Sequence, residues 1–173
     1  ETPRRLVIVP ENGEALPTPV LMPMTEAFHF GPRASSSSTI SRAMPAAAGD
    51  REVFLFHSPN YLIKLLDLET GAVVRSFRRE YDRVKYGVKV PPGYPAELVP
   101  KFHNDLCRLL WRNDRLWAVT STFDKTKGIL VDVFSREGQY LDNFYLPIFK
   151  IRRNNPQYYA PMAIWENFLY LLE

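Results

Sequence analysis

The sequence contains one cysteine, Cys107, so no disulfide can form within the chain. No apolar run approaches the ~18 residues that a membrane-spanning helix requires, and we expect no membrane span. The charge excess is small, since 22 basic residues accompany 19 acidic ones. Nucleic-acid-binding domains usually carry a dense basic stripe, so we expect no nucleic-acid partner. Cys107 lies in the apolar run "DLCRLLW" and is predicted to be a small buried hydrophobe.

The sequence also lacks the short motifs that mark many catalytic and metal sites. Its three histidines, His29, His57 and His103, show none of the spacings of zinc ligands. No GxSxG motif is present, and the serine run at 35–38 lacks the glycines and the lysine of a phosphate loop. We therefore assign no catalytic residue and expect no bound metal and no cofactor.

The composition that remains is suited to short strands joined by structured loops. The 173 residues are enough for one domain with a core. Aromatic residues make up 13% of the chain, and 15 residues are proline, which sheets confine to edges and connections. The chain starts at Glu1 rather than Met and shows no signal-peptide apolar segment, so we expect a removed leader or a fragment.

Three segments repeat one hairpin pattern: a strand, a tight polar turn with glycine, and a second strand. They are "IVPENGEALP" at 8–17, "LLDLETGAVVRSF" at 65–77 and "DVFSREGQYLDNF" at 132–144. Apolar and charged residues alternate before the turn, as a half-buried strand requires. The glycine of each turn is predicted to supply a positive φ. In the alignment, Glu11-Asn12-Gly13 falls on Arg136-Glu137-Gly138, Ile63–Asp67 on Val131–Ser135, and Gly71–Phe77 on Gly138–Phe144.

A second pattern precedes the hairpin: a polar turn that leads into an alternating strand rich in aromatic residues. It occurs in "LWRNDRLWAV" at 110–119 and "IWENFLYLL" at 164–172, and more weakly in "GDREVFLF" at 49–56. Alignment places Phe54, Trp117 and Tyr170 at one position of this strand. Such segments are typical of β-strands.

Together the two patterns predict four-stranded antiparallel units of about 40–45 residues, the size of a β-propeller blade. One unit covers about 40–80 and another 105–147, joined by a crossover at 81–104. Half units are predicted at 1–24 and 158–173. The alternative is a β-sandwich with unrelated hairpins, which leaves the repeated second pattern without explanation.

The predicted units sum to about three, or half of a six-bladed ring. The N-terminal half supplies the third and fourth strands of a unit, and the C-terminal half supplies the first and second. Propellers usually have four to eight blades, so a ring of three is too tight to close. We therefore expect a protein partner or a second copy of the chain to complete the ring.

The segments "REVFLFHSPNYLIKLLDLETGAVVRSFRREY" and "NDRLWAV…VDVFSREGQYLDNFYLP" resemble bacterial six-bladed β-propellers of the NHL-repeat and TolB-like kind. The resemblance covers about 49–147 and implies an all-β propeller fold. It also implies an extracytoplasmic location, periplasmic or secreted. Proteins of this kind include peptide-, protein- and sugar-binding scaffolds and a minority of enzymes.

Two groups of residues are candidates for sites. His103, Asn104 and Asp105 precede a predicted inner strand, where they would face the mouth of the central channel; a simple strand-initiating turn is the alternative. Aromatic and basic residues anchor many interfaces, although packing between units is an equal explanation. The further ligand-binding candidates are Tyr158 and Tyr159, and the interface candidates are Arg78, Arg79, Tyr81, Arg152 and Arg153.

The sequence favours a non-catalytic scaffold that acts through protein–protein contacts of a propeller surface. One alternative is a calcium-dependent hydrolase of the lactonase class, which would need hard oxygen ligands from several blades. Asn104, Asp105, Asn154 and Asn155 are the residues that such a site would draw on. A sugar- or peptide-binding sensor domain is the other alternative.

Overall fold

A computed structural model describes residues 5–6, 20–21, 44–56, 60–85, 87, 101–148, 162–165 and 168–171. These residues form strands and no helix. The strands are β1 (Arg5–Leu6), β2 (Val20–Leu21), β3 (Met44–Ala47), β4 (Glu52–Phe56), β5 (Ile63–Asp67), β6 (Val73–Phe77), β7 (Leu106–Arg112), β8 (Arg115–Asp124), β9 (Gly128–Ser135), β10 (Tyr140–Leu146), β11 (Met162–Trp165) and β12 (Phe168–Leu171).

Two four-stranded antiparallel sheets dominate this fold. The first sheet has the order β3-β4-β5-β6 and the second the order β7-β8-β9-β10, so each strand pairs with its sequence neighbours. The prediction of an all-β chain with four-stranded antiparallel sheets is therefore confirmed for the described residues. The serine run at 35–38 and most of the predicted crossover at 81–104 lie outside them or between described segments.

The tight turns follow from the residues that form them. Gly71 and Gly138 have φ values of 71° and 82°, as predicted for the hairpin turns. Asn113 and Asp114 also have positive φ (48° and 56°) and join β7 to β8, because this conformation matches the twist of the flanking strands. Gly13, the glycine predicted for the first hairpin turn, lies outside the described residues.

The first and second sheets pack face to face through a shared apolar core. Phe54, Ile63 and Leu65 of the first sheet are at most 3% exposed. They pack with Leu116 and Phe134 of the second sheet. Burying a side chain of this size contributes about 1.5–3 kcal/mol, so this boundary is a principal source of stability.

The other face of the second sheet packs against β11 and β12, which form a two-stranded sheet among the described strands and are called the terminal pair below. Met162, Ile164 and Leu169 of the terminal pair join Val119 and Val131 in a second core. The first strands of the two four-stranded sheets and of the terminal pair are neighbours, since β7 lies against both β3 and β11.

Among the described residues, the strands near the two ends of the chain lie in separate sheets. β1 pairs with β2, with Arg5 opposite Leu21, and the terminal pair is separate. The half units predicted at 1–24 and 158–173 lie partly outside the described residues. No helix among the described residues is long and apolar enough to cross a membrane.

Candidate functional site

The turn that leads into β7 places three polar side chains inside the protein. His103, Asn104 and Asp105 are 3%, 8% and 3% exposed. The His103 backbone N–H donates a hydrogen bond to the Val84 carbonyl at 2.9 Å, and the Asp105 carbonyl accepts one from the Ser121 N–H at 3.1 Å. These bonds fix the turn between the segment that follows β6 and strand β8.

Asp105 is paired with Arg83, whose Nε donates a hydrogen bond to Oδ1 at 2.9 Å. The Arg83 guanidinium also lies 4.7 Å from the ring centroid of Phe102. Burial raises the pKa of Asp105, while the hydrogen bond and the charge of Arg83 act in the opposite direction. The carboxylate is therefore already neutralised by a cation of the same chain, which weakens it as a metal ligand.

His103 and Asn104 provide the neutral polar groups of this turn. Burial lowers the pKa of His103, which favours the uncharged imidazole. Asn104 Oδ1 is buried and has no hydrogen-bond partner among the described residues. A buried acceptor without a donor costs about 1–3 kcal/mol, so this oxygen has the capacity to accept a hydrogen bond or to coordinate a hard cation.

A second polar cluster lies on the boundary of the first and second sheets, around Asp132 of β9. Asp132 is fully buried. Its Oδ2 accepts a hydrogen bond from the Tyr61 hydroxyl at 2.7 Å and lies 2.9 Å from Arg79 Nε. Burial raises the pKa of Asp132, with the Tyr61 hydrogen bond and the Arg79 charge opposing it. The pKa of Tyr61 is raised by burial and by the negative charge of Asp132.

Arg79 is surrounded by aromatic rings as well as by this carboxylate. Its guanidinium carbon lies 5.7 Å from the ring centroid of Tyr61, 5.9 Å from that of Tyr81 and 5.3 Å from that of Tyr140. A guanidinium held within about 6 Å of an aromatic face is attracted by the ring. Rings of both sheets therefore hold Arg79 at their boundary.

Tyr81 extends the same network to β8. Its hydroxyl lies 2.7 Å from Thr122 Oγ1 and 3.1 Å from Ser121 Oγ. The two arginine–carboxylate pairs, Arg79–Asp132 and Arg83–Asp105, thus both connect the segment after β6 to the second sheet. These contacts fix how the two sheets are oriented, and they leave neither carboxylate as an isolated acid or base.

An open groove lies on the opposite face of the second sheet, beside the terminal pair. Its volume is about 490 Å³. Trp117 and Phe144 contribute an edge-to-face aromatic pair with centroids 5.0 Å apart. The residues that line the groove are Arg112, Asn113, Arg115, Trp117, Val133, Asp142 and Phe144. An apolar floor with charged residues at its rim is suited to binding a polypeptide segment.

The structure brings some of the predicted site residues together and separates others. His103, Asn104 and Asp105 share one buried turn, as expected from their adjacency. Arg78 is exposed, whereas Arg79 and Tyr81 make the internal contacts described above. The remaining candidates lie outside the described residues: Tyr158, Tyr159, Arg152, Arg153, Asn154 and Asn155.

Sequence reasoning missed Asp132 and the groove. Asp132 was expected on the solvent face of a half-buried strand, but both faces of β9 are covered. The alignment of Asp132 with Lys64 was the signal that could have drawn attention to Asp132, since the second sheet has an acid where the first has a base. The groove depends on which face the terminal pair leaves uncovered, and a linear pattern does not encode that.

Within the described residues, no group of three or more His, Cys, Asp or Glu side chains is arranged to hold a metal ion. Comparison with protein-family models, curated proteins and solved structures finds no significant match to this chain. Fold and function are therefore inferred from the residues themselves.

Proposed function

We propose that this chain is a non-catalytic scaffold protein, built as half of a six-bladed β-propeller, that acts through protein–protein contacts. The observation that carries the proposal is the arrangement of the sheets. Two sheets with strands in sequence order stack face to face, and β7, the first strand of the second sheet, lies against both β3 and β11. Propeller blades have this strand order and place their first strands nearest to a central axis.

The aligned aromatic residues on the second strands, Phe54, Trp117 and Tyr170, support the proposal that another unit packs beside the terminal pair. Phe54 packs against the second sheet, and Trp117 packs with the core next to the terminal pair. Tyr170, at the same position, is 53% exposed, and its neighbour on the same strand face, Phe168, is 62% exposed. Large exposed aromatics on a strand with an open edge are typical of a surface that another chain covers.

The polar clusters also fit a scaffold better than an enzyme. Asp105 and Asp132, two buried carboxylates, are each paired with an arginine of the same chain. Catalytic acids and bases need an accessible group whose pKa suits the reaction. Here the burial and the pairing serve the alignment of two sheets.

The mass of the protein in solution tests the proposal. A closed six-bladed ring from two copies has twice the 20.0 kDa mass of the chain. We expect light scattering coupled to size-exclusion chromatography to show this dimer at low micromolar concentration. A folded, strictly monomeric chain that binds no partner would contradict ring completion by a second copy.

A calcium-dependent hydrolase is the second candidate, and Asn104 is the observation in its favour. Its buried Oδ1 is a hard oxygen of the kind that Ca²⁺ binds. Asp105 beside it is bound to Arg83, and a cation at that position opposes a divalent ion. Thermal unfolding in 5 mM CaCl2 and in EDTA separates the two functions, because a calcium site raises Tm with CaCl2 and a scaffold without one does not.

A further inference from the structure

At the boundary of the first and second sheets, the β9–β10 hairpin turn of the second sheet contacts residues of the first sheet. Arg136 of the β9–β10 turn forms an ion pair with Glu52 at the start of β4. The following carbonyl, of Glu137, accepts a hydrogen bond from Arg75 Nη1 at 3.1 Å. Gly138 then lies so close to Phe77 that a Cβ atom there would be 2.5 Å from the ring.

Glu52, Arg75 and Phe77, which contact this turn, form the first receiving site. The second sheet has residues at the three equivalent positions, on the face turned away from the first sheet. Glu52 is opposite Asp67 in the first sheet, and Arg115 is opposite Ser135 in the second, which makes Glu52 and Arg115 equivalent. The hairpin alignment makes Arg75 equivalent to Asp142 and Phe77 equivalent to Phe144. Arg115, Asp142 and Phe144 are all residues of the open groove.

The aromatic pair below these positions is also repeated. Phe54 and Phe77 are edge to face with an interplanar angle of 83°, and Trp117 and Phe144 are edge to face with an angle of 74°. In the first sheet the pair is covered by the second sheet, since Phe77 lies 5.2 Å from Phe134. In the second sheet the equivalent pair borders the groove.

The two receiving sites differ in the sign of their charge. The first offers Glu52 to a turn that carries Arg136, whereas the second offers Arg115. An acidic residue is therefore required at the first turn position, and the aligned N-terminal turn has Glu11 there, followed by Asn12 and Gly13. These residues lie outside the described ones, so their assignment to a turn comes from the sequence.

We propose that the groove at Arg115, Asp142 and Phe144 binds the Glu11-Asn12-Gly13 turn of a second copy of this chain. The inference rests on the proposed function, because only another copy can supply the turn if a ring of three units cannot close. Glu11 pairs with Arg115, and Asp142 accepts a hydrogen bond from an amide of the turn. Gly13, without a side chain, packs on the ring of Phe144 as Gly138 does on Phe77.

The turn would bring its strand to the free edge of the terminal pair. Val9 aligns with Phe134, one residue before the turn, and is suited to the apolar floor of Trp117 and Val133. Among the described strands, β12 pairs with β11 alone, so its other edge can take a strand of a second copy. Addition of a strand at an open edge is a common mode of chain association.

A charge-exchange experiment on the 173-residue chain tests this contact. Arg115→Glu and Glu11→Arg are each expected to weaken the dimer at least about tenfold, because two equivalent contacts would each hold like charges. The double variant is expected to dimerise within about threefold of the original chain, since the pair is restored with exchanged signs. Dissociation constants come from sedimentation equilibrium, and circular dichroism checks that each variant is folded.

Lys125→Glu is the matched control, because Lys125 is exposed in the β8–β9 turn and the substitution changes the net charge by the same amount. It is expected to leave the dimer unchanged. A dimer that is insensitive to Arg115→Glu would overturn the groove contact while leaving ring completion intact. A monomeric original chain would overturn ring completion and, with it, this contact, so the two failures are distinguishable.

Discussion

Removal of one charge from the Arg79–Asp132 pair should reveal how strongly the two sheets depend on it. Arg79→Met keeps the apolar part of the side chain and deletes the cation, which leaves the Asp132 carboxylate buried with only the Tyr61 hydroxyl as a donor. Asp132→Asn deletes the anion but retains an oxygen for Tyr61. The double variant removes both charges and leaves no uncompensated ion.

The burial of Asp132 and the partial exposure of Arg79 predict how the costs of the three variants in unfolding free energy compare. Asp132 is fully buried, so we expect Arg79→Met to cost about 2–4 kcal/mol of unfolding free energy. The Arg79 side chain is 29% exposed and retains its aromatic neighbours, so Asp132→Asn should cost less, about 1–2 kcal/mol. The double variant should cost less than the sum by at least about 1 kcal/mol, because no lone buried charge remains.

The pH dependence gives an independent check on the Arg79→Met variant. Without the cation, the folded-state pKa of Asp132 rises further above its unfolded value. A raised carboxyl pKa favours the folded state below the unfolded pKa and penalises it as the pH rises through the folded pKa. The cost of Arg79→Met should therefore be largest near neutral pH and should shrink toward about pH 4.

Urea unfolding followed by tryptophan fluorescence measures these differences, since Trp111 packs on Phe54 near the same boundary. Each kcal/mol should also lower Tm by about 2–4 °C in a chain of this length. Arg78→Met is the matched control, because Arg78 is exposed, and it should change stability by less than about 0.5 kcal/mol. Strictly additive costs in the double variant would refute the coupling of the pair.

Three further predictions concern single positions. Gly138→Ala should cost about 1–3 kcal/mol by urea midpoint, because its φ is positive and its Cβ meets the Phe77 ring, and Gly87→Ala, which has open space and no positive φ, should cost less. Cys107, predicted to be buried, is half-buried beside the second core, and desolvation together with the charge of Asp105 raises its pKa, so iodoacetamide at pH 8 should modify the native thiol more slowly than the unfolded one by mass spectrometry. The hydrogen bonds of the β5–β6 turn lower the pKa of Asp67, so its stabilisation should be lost as the pH falls below about 4, and urea midpoints of Asp67→Asn should lack this loss.

The local features of the fold could be predicted from the sequence. Ile63–Asp67 and Val73–Phe77 were recognisable as strands because apolar residues alternate on either side of a glycine turn. The positive φ of Gly71 and Gly138 follows from the same turn chemistry. These features depend on residues within a few positions of each other.

The contacts between sheets could not be predicted in this way. Asp132 follows the alternation of a solvent-facing position, yet it is buried because the first sheet covers that face of β9. Arg79 was named as an interface candidate with packing between units as an equal explanation, and the sequence did not indicate its partner, Asp132, in a distant part of the chain. The choice of partner depends on how two sheets pack, and period-2 patterns contain no information on that choice.

The first receiving site has an acid, Glu52, where the second has a base, Arg115. This difference can help to specify which hairpin turn binds at which site. Hairpin turns of similar shape could exchange places in a repeated fold, since apolar packing alone discriminates poorly between them. Arg136 placed at the second site would meet Arg115, and Glu11 placed at the first would meet Glu52. Each exchanged docking would therefore bring like charges together, whereas the observed Arg136–Glu52 pair and the proposed Glu11–Arg115 pair join opposite charges. The charge at the position of Glu52 and Arg115 thus discriminates between hairpin turns, although an exposed ion pair contributes little to the free energy of unfolding.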